Sequence, residues 1–133
     1  MKAISARATG GLNLGAIMIA SDNSGAKIVK LVGVKRGKGR KGRQIYAKIA
    51  DGVKVSIKKG NPDMKGKVFD AVVIRQRKPY RRKNGERVVF EDNAVAILKD
   101  EKGNPKGTQI KGPVAREVLE RWSSVAKIAQ YVI

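Results

Sequence analysis

Short stretches of alternating apolar and polar residues mark the first hundred positions of the chain. In the run VKVSIKK, residues 53–59, Val53, Val55 and Ile57 alternate with lysines and a serine. This period of two is typical of a β-strand with one buried side and one side in water. Further runs rich in β-branched residues predict strands at 16–21, 26–34, 44–50, 67–77 and 88–99.

Turn residues between these runs join the predicted strands into hairpins. DNSG at 22–25 predicts a tight turn, and the pairs Asp51-Gly52 and Asn84-Gly85 are typical of hairpin turns. The stretch EDN at 91–93 predicts a kink or bulge in the strand that returns from the last turn. The pattern therefore predicts hairpins over 16–34, 44–59 and 67–99.

The period changes near the end of the chain. Apolar residues recur there at spacings of three and four, which predicts one stripe along a helix: Val114, Val118, Trp122, Val125, Ala129 and Val132. Pro113 suits the first helical position, where its missing N–H is no loss. We expect a helical region over 113–131 that packs on the strands rather than binding a membrane or a partner helix.

These elements predict a mainly β fold in a single domain, residues 1–133. Short strands with tight turns favour a small closed five-stranded β-barrel, because closure removes the open sheet edges that invite aggregation. A basic hairpin and the C-terminal helical segment complete the predicted fold. Residues 1–14 are small, polar and glycine-containing, and are expected to form an irregular N-terminal arm.

The charge of the chain changes the picture most. It has 30 Lys and Arg residues against 11 Asp and Glu, a formal net charge of +19 over 133 residues. Such a chain repels itself unless a polyanion neutralises it, so nucleic acid is the predicted partner. The amphipathic C-terminal segment has a polar side of mixed sign, which does not favour binding to a membrane surface.

Cysteine and histidine are both absent. Disulfides, thiolate metal sites and the commonest catalytic base are therefore excluded, and we expect no metal and no cofactor. The chain has no apolar run near the roughly 20 residues that span a bilayer and no signal-peptide pattern, so a cytoplasmic protein is expected.

Three motifs resemble catalytic or cofactor sites but lack the context that those sites need. Gly37, Gly39 and Gly42 form a G-x-G-x-x-G, yet the following RQIYAKIADG is not a helix that could hold a pyrophosphate. The S-x-x-K of residues 56–59 lacks its companion motifs. Glu91 and Asp92 could hold a metal with water, but turn chemistry explains them more simply. An enzyme is therefore not expected.

Two clusters of cations lie in predicted connections between strands. Glycines between cations let the backbone approach phosphates, and Arg binds phosphate through two parallel hydrogen bonds. The predicted RNA-binding residues of the first cluster are Lys35, Arg36, Lys38, Arg40, Lys41 and Arg43, and those of the second are Arg75, Arg77, Lys78, Arg81, Arg82, Lys83 and Arg87. Lys58 and Lys59 belong to a weaker third set along a strand.

Tyr80 lies inside the second cluster and has two interpretations. It either stacks on an unpaired base or packs on the neighbouring Pro79 as an ordinary hairpin side chain. Aromatic residues are only 5% of the chain, and no aromatic stacking motif is present. A structured RNA, gripped by its backbone and shape, is therefore favoured over free single strands.

Longer stretches of the chain resemble a known family. DNSGAKIVKLVGV, AVVIRQRKPYRRKNGERVVFEDNAVAILKD and KGTQIKGPVARE are similar to the universal large-subunit ribosomal protein L-fourteen family. The N-terminal extension, GKGRKGRQ and LERWSSVAKIAQYVI resemble its archaeal and eukaryotic branch. The resemblance covers the chain from about residue 15 to its end.

The resemblance implies a function in translation. It implies a five-stranded barrel with a β-ribbon, assembly into the large ribosomal subunit and binding to large-subunit ribosomal RNA. It also implies a place on the intersubunit face, a bridge to small-subunit ribosomal RNA, and neighbours that include the universal L-three protein and an archaeal/eukaryotic zinc-containing protein. An anti-association initiation factor is a further implied partner. Two alternatives are a free-standing nucleic-acid-binding regulator or chaperone, and an enzyme acting on nucleic acid.

Overall fold

Five strands close into a barrel at the centre of the molecule. The structure, a computed structural model, describes residues 3–4, 6–35, 37 and 39–133. The barrel runs in the order β1 (Ile17–Ala20), β2 (Ala26–Val34), β3 (Gly52–Gly60), β4 (Val68–Arg75) and β7 (Ala94–Leu98). Neighbouring strands are antiparallel except at the closure, where β1 pairs with β7 in parallel. The prediction of a mainly β, closed five-stranded barrel is confirmed.

The remaining elements are short and lie outside the barrel. A ribbon of β5 (Tyr80–Arg81) and β6 (Arg87–Val88) projects between β4 and β7. The C-terminal region contains β8 (Pro113–Val114), α1 (Arg116–Arg121), α2 (Ser123–Ala126) and β9 (Tyr131–Val132), with β8 and β9 paired in parallel. Within the described residues, no helix has the length and apolar character needed to cross a membrane.

Strand alternation fills the barrel with aliphatic side chains. Val53, Val55 and Ile57 on β3 are fully buried, while Lys54 between them and Lys58 after them are exposed, as the alternation predicts. The short strand β7 is buried at every position. The interior is therefore apolar, and most of the charge is left on the connections and on outward-facing positions.

The hairpin over 16–34 and the interrupted return strand are as predicted. β1 and β2 pair across the turn at 21–25, and residues 89–93 separate β6 from β7. The predicted strand at 44–50 is wrong. Both edges of β3 are already paired, with β2 and β4, so this segment has no free edge there. Instead Ala47 pairs with Leu12 of the N-terminal arm, and the chain then turns at Ala50.

The helical region predicted over 113–131 is present but is not one continuous helix: it contains two short helices between two short strands. Trp122 has φ −122° and ψ 82°, which is not helical and separates α1 from α2. Pro113 lies in a strand rather than at a helix start. The first four residues of the predicted stripe are nevertheless buried, because the two short helices keep those side chains on the barrel.

The Trp122 side chain, at the break between α1 and α2, contacts the turn before β3. The indole Nε1 donates a hydrogen bond to the carbonyl oxygen of Ala50 at 2.8 Å, and the side chain is 8% exposed. Trp122 therefore joins the C-terminal region to the turn before β3.

Replacing this side chain tests its structural role. Trp122→Ala should lower the free energy of unfolding by about 3–5 kcal/mol, because it removes a buried aromatic group and leaves a cavity. Tyr131→Ala is the control, since Tyr131 is 64% exposed, and its effect should stay within about 1 kcal/mol. Urea denaturation of the free protein measures both, and equal stability of the two variants would contradict the assignment.

Candidate nucleic-acid interface

The two basic clusters lie in the two longest connections of the barrel. The first occupies the connection between β2 and β3, and the second extends from the end of β4 through the ribbon towards β7. Alternation along β5 and β6 exposes Arg81 and Arg87 and buries their neighbours Tyr80 and Val88. In total, five cations of the second cluster are exposed: Arg77, Lys78, Arg81, Lys83 and Arg87.

The first connection presents a small turn of exposed cations. Arg40 and Arg43 pair with each other, and Lys41 and Gly42 between them have φ values of 53° and 75°. Arg40, Lys41 and Arg43 are exposed. Lys35 at the start of the connection is half-buried, and its Nζ lies 3.3 Å from Asp70 Oδ1. The predicted residues Arg36 and Lys38 lie outside the described residues.

Lys58 and Lys59, the third predicted set, lie at the end of β3 and are exposed. Lys59 is opposite Ile28 of β2, so it belongs to the barrel wall and not to either connection. The predicted cations that the structure describes therefore belong to three different parts of the fold, the two connections and the barrel wall.

Three arginines stand in a row across the ribbon. Arg81 of β5 is directly opposite Arg87 of β6 on one side and Arg7 of the N-terminal arm on the other. Directly opposite residues of antiparallel strands point to the same side, and all three are exposed. Like charges in such pairs are destabilising, so this arginine row is a feature that an external anion would stabilise. The sequence did not indicate Arg7, because only strand pairing brings it beside the ribbon.

Arg75 was predicted to bind RNA, but the structure places its side chain in the interior of the protein. Its side chain is 7% exposed, and its Nε and Nη2 donate to the Asp92 carboxylate at 2.8 and 3.2 Å. Nη1 donates to the carbonyl oxygens of Lys111 and Pro113, and Nη2 also donates to the Ser21 hydroxyl. All five N–H groups of the guanidinium therefore have acceptors within the protein.

Arg82 and Tyr80 were also predicted to bind RNA, and they too are buried and hydrogen-bonded within the protein. Arg82 is 8% exposed, with Nε 2.8 Å from Glu117 Oε1 and Nη2 2.6 Å from the backbone oxygen of Ile133. The Tyr80 hydroxyl donates to Glu117 Oε2 at 2.7 Å, and the side chain is 1% exposed. Tyr80 is therefore a buried side chain and is not available to stack on a base.

Glu117 connects this buried network to α1. Burial alone would raise the pKa of Glu117, but the hydrogen bonds from Arg82 and Tyr80 outweigh it and hold the pKa below its ordinary value. Burial, together with the hydrogen bond to Glu117, raises the pKa of Tyr80. The carboxylate stays charged and the phenol stays protonated, so the ion pair that fixes the ribbon persists at neutral pH.

The motifs that resemble catalytic sites do not form such sites. The chain after Gly42 is irregular up to β3, so no helix follows the glycines. The Asp92 carboxylate forms an ion pair with Arg75, and the neighbouring Glu91 is exposed. Within the part of the chain that the structure describes, no group of three acidic side chains could hold a metal ion.

The chain is similar in sequence to known proteins over its whole length. Residues 11–133 match the family model described as ribosomal protein L14p/L23e. The chain belongs to this family. Over the full length of both chains, it is 56% identical to large ribosomal subunit protein uL14 of Nanoarchaeum equitans, 49% to that of Halorubrum lacusprofundi and 48% to that of Thermoplasma acidophilum.

Membership in the L14p/L23e family decides two expectations. The family consists of structural ribosomal proteins, so the expectation of a protein without enzymatic activity is confirmed. Its archaeal relatives are components of cytoplasmic ribosomes, which confirms the expected cytoplasmic location. The resemblance found in the sequence is confirmed as well.

Substitution of two neighbouring arginines of this L14p/L23e protein should change its stability by very different amounts. Arg82→Ala should lower the free energy of unfolding by about 3–5 kcal/mol, because it leaves the buried Glu117 carboxylate unpaired. Arg81→Ala should change it by less than about 0.5 kcal/mol, because the Arg81 side chain is exposed. Denaturation curves of the two variants at neutral pH make the comparison. Equal effects would mean that the alternation along β5 is not as described.

Proposed function

We propose that this protein is a structural constituent of the large ribosomal subunit that binds large-subunit ribosomal RNA through its exposed basic connections. The single observation that supports this most is the row formed by Arg7, Arg81 and Arg87. Three like charges side by side weaken a two-stranded ribbon in free solution, and phosphate groups would convert that repulsion into attraction. RNA provides phosphates at a regular spacing along its backbone.

The target is proposed to be folded RNA rather than a single strand. Tyr80, the aromatic residue inside the second cluster, is buried and cannot stack on a base. The exposed charged groups of the ribbon and the first connection are mainly guanidinium and ammonium, which are typical partners of backbone phosphates. Affinity would then depend on the backbone shape of the RNA and on charge neutralisation.

The barrel acts as a rigid spacer in this proposal. The first connection leaves it after β2 and the ribbon leaves it after β4, and these strands are both paired with β3. Two RNA segments that bind these connections would therefore be held at a fixed separation. A place on the intersubunit face, with a bridge to small-subunit ribosomal RNA, belongs to the same proposal and rests on membership in the family.

Protein neighbours are also part of the proposal. Several apolar side chains on the outward side of the barrel remain exposed: Ile17, Ile19, Val32 and Val68. Ile17 and Val68 lie in one cross-strand row, through Lys30 and Ser56. Such a surface suits contact with protein better than contact with phosphate. The L-three protein, the zinc-containing large-subunit protein and the anti-association initiation factor are the proposed candidates.

The salt dependence of RNA binding tests the role of the basic ribbon. In the triple variant Arg81→Gln, Lys83→Gln and Arg87→Gln, the slope of log affinity against log salt should fall by about one unit for each phosphate that the ribbon no longer neutralises. Filter binding to a large-subunit ribosomal RNA fragment measures the slope. The matched control replaces three exposed lysines elsewhere with glutamine, Lys99, Lys111 and Lys127, and so removes the same charge. Equal slopes for both variants would remove the ribbon from the interface.

Sedimentation separates the ribosomal proposal from a free-standing regulator or chaperone. The protein should remain with large subunits on a sucrose gradient after a wash at about 0.5 M salt, where surface charges alone are strongly screened. A free-standing binder would dissociate and remain at the top of the gradient. The second result would contradict the proposal even if RNA binding in solution were tight.

A further inference from the structure

A cavity of about 470 Å³ opens at the root of the first basic connection. Lys35 and Lys54 line one side, and Lys102 of the loop after β7 lines another. The third side is the break between α1 and α2, with Trp122, Ser123 and Ser124. The cavity was not indicated by the sequence, because its walls come from four separated parts of the chain.

Two ammonium groups in this cavity share one carboxylate. The Nζ atoms of Lys35 and Lys54 lie 3.3 and 3.1 Å from the same oxygen, Oδ1 of Asp70. The side chains of Lys35 and Asp70 are 19% and 11% exposed, so the pair is partly removed from water. One negative charge cannot neutralise two positive charges, and each ammonium has three N–H donors. The arrangement therefore keeps one positive charge in excess and has donors to spare.

The other charges around the cavity do not cancel this excess. Arg121 Nη1 lies 3.3 Å from Asp51 Oδ1, so these two charges compensate each other. Glu101 and Lys102, both exposed at the rim, also offset each other. The net charge of the cavity thus comes from the two lysines on Asp70.

The indole wall of the cavity is held rigidly. A Cβ at Gly52 would come within 3.2 Å of the Trp122 ring, and one at Gly103 within 2.8 Å. Backbone without side chains therefore packs against the indole at two places, while its Nε1 is bound to Ala50. A Cβ at Gly52 would also lie 3.3 Å from the aliphatic stem of Lys35. The same glycine thus lets the indole and the lysine approach each other.

We propose that this cavity binds a phosphate group. The ammonium groups and the hydroxyls of Ser123 and Ser124 supply the charge and the hydrogen-bond donors that phosphate oxygens require. The source of the phosphate follows from the proposed function: a backbone phosphate of the ribosomal RNA held by the adjoining basic connection. This site would fix one phosphate on the rigid barrel, in addition to contacts made by exposed loops.

Trp122 reports directly on the site because it is the only tryptophan of the chain. Iodide, an anion, should quench its fluorescence through the cavity, whereas neutral acrylamide is insensitive to charge. Lys54→Gln removes the excess charge and leaves Lys35 to neutralise Asp70, so the protein should remain folded. Iodide quenching should then fall about two- to fivefold, as expected for the loss of a charge at contact distance in water, with acrylamide quenching unchanged. Lys67→Gln, an exposed lysine outside the cavity lining, should change neither.

Competition identifies the ligand. Inorganic phosphate, at constant ionic strength set with chloride, should protect Trp122 from iodide in the unchanged protein and not in Lys54→Gln. A large-subunit ribosomal RNA fragment should give the same protection. Absence of protection by both would overturn the site, and protection by phosphate alone would overturn RNA as its source.

The experiment also separates this inference from the proposed function. If the RNA fragment binds in a filter assay but leaves Trp122 open to iodide, the cavity does not hold RNA phosphate and the ribbon proposal stands. If the fragment does not bind at all, the proposed function fails, and protection by inorganic phosphate alone shows a free-anion site, which likewise overturns RNA as the source of the phosphate.

Discussion

Buried ion pairs hold the most positively charged part of this molecule in place. Arg82 meets Glu117 of α1 in the interior, and Arg75 meets Asp92 where the chain returns from the ribbon. Together they connect the ribbon to the C-terminal region and to β4. Without these connections, a two-stranded ribbon that carries exposed arginines side by side would have little reason to stay in one position, because isolated hairpins are marginally stable in water. The position of the exposed arginines therefore depends on the buried ion pairs.

The same residue type performs two functions within a few positions. Arg81 points outward and Arg82 inward, because side chains alternate along β5. The guanidinium suits both environments, since it binds a carboxylate or a phosphate through two hydrogen bonds and stays charged when buried. Lys35 lies between these two situations: its side chain is half-buried and forms an ion pair with Asp70 at the start of the first basic connection. Cation density along the sequence therefore overstates the number of cations that are exposed on the surface.

The sequence predicted well what depends on local pattern. The alternation on β3, the turn at Asn84-Gly85 and the interruption at 91–93 follow from properties of a few adjacent residues. Prediction from the sequence failed where contacts between distant parts of the chain determine the structure. The segment 44–50 has the composition of a strand but finds no free edge beside β3, and Trp122 leaves the helix to reach Ala50. Burial of Arg75, Tyr80 and Arg82 depends on acceptors 17 to 54 positions away, which no local pattern could show.

The parallel pairing of β1 with β7 sets an order of events during synthesis. Ile19 pairs with Ala94, so the first strand to be made has to wait for the last strand of the barrel. Both basic connections emerge while the sheet is still open, with two unpaired edges and a large positive charge. That interval exposes backbone groups to wrong pairing, as slow closure of distant strands generally does. The repulsion between cations then has a second benefit: it keeps nascent copies of the chain apart until the ring is complete.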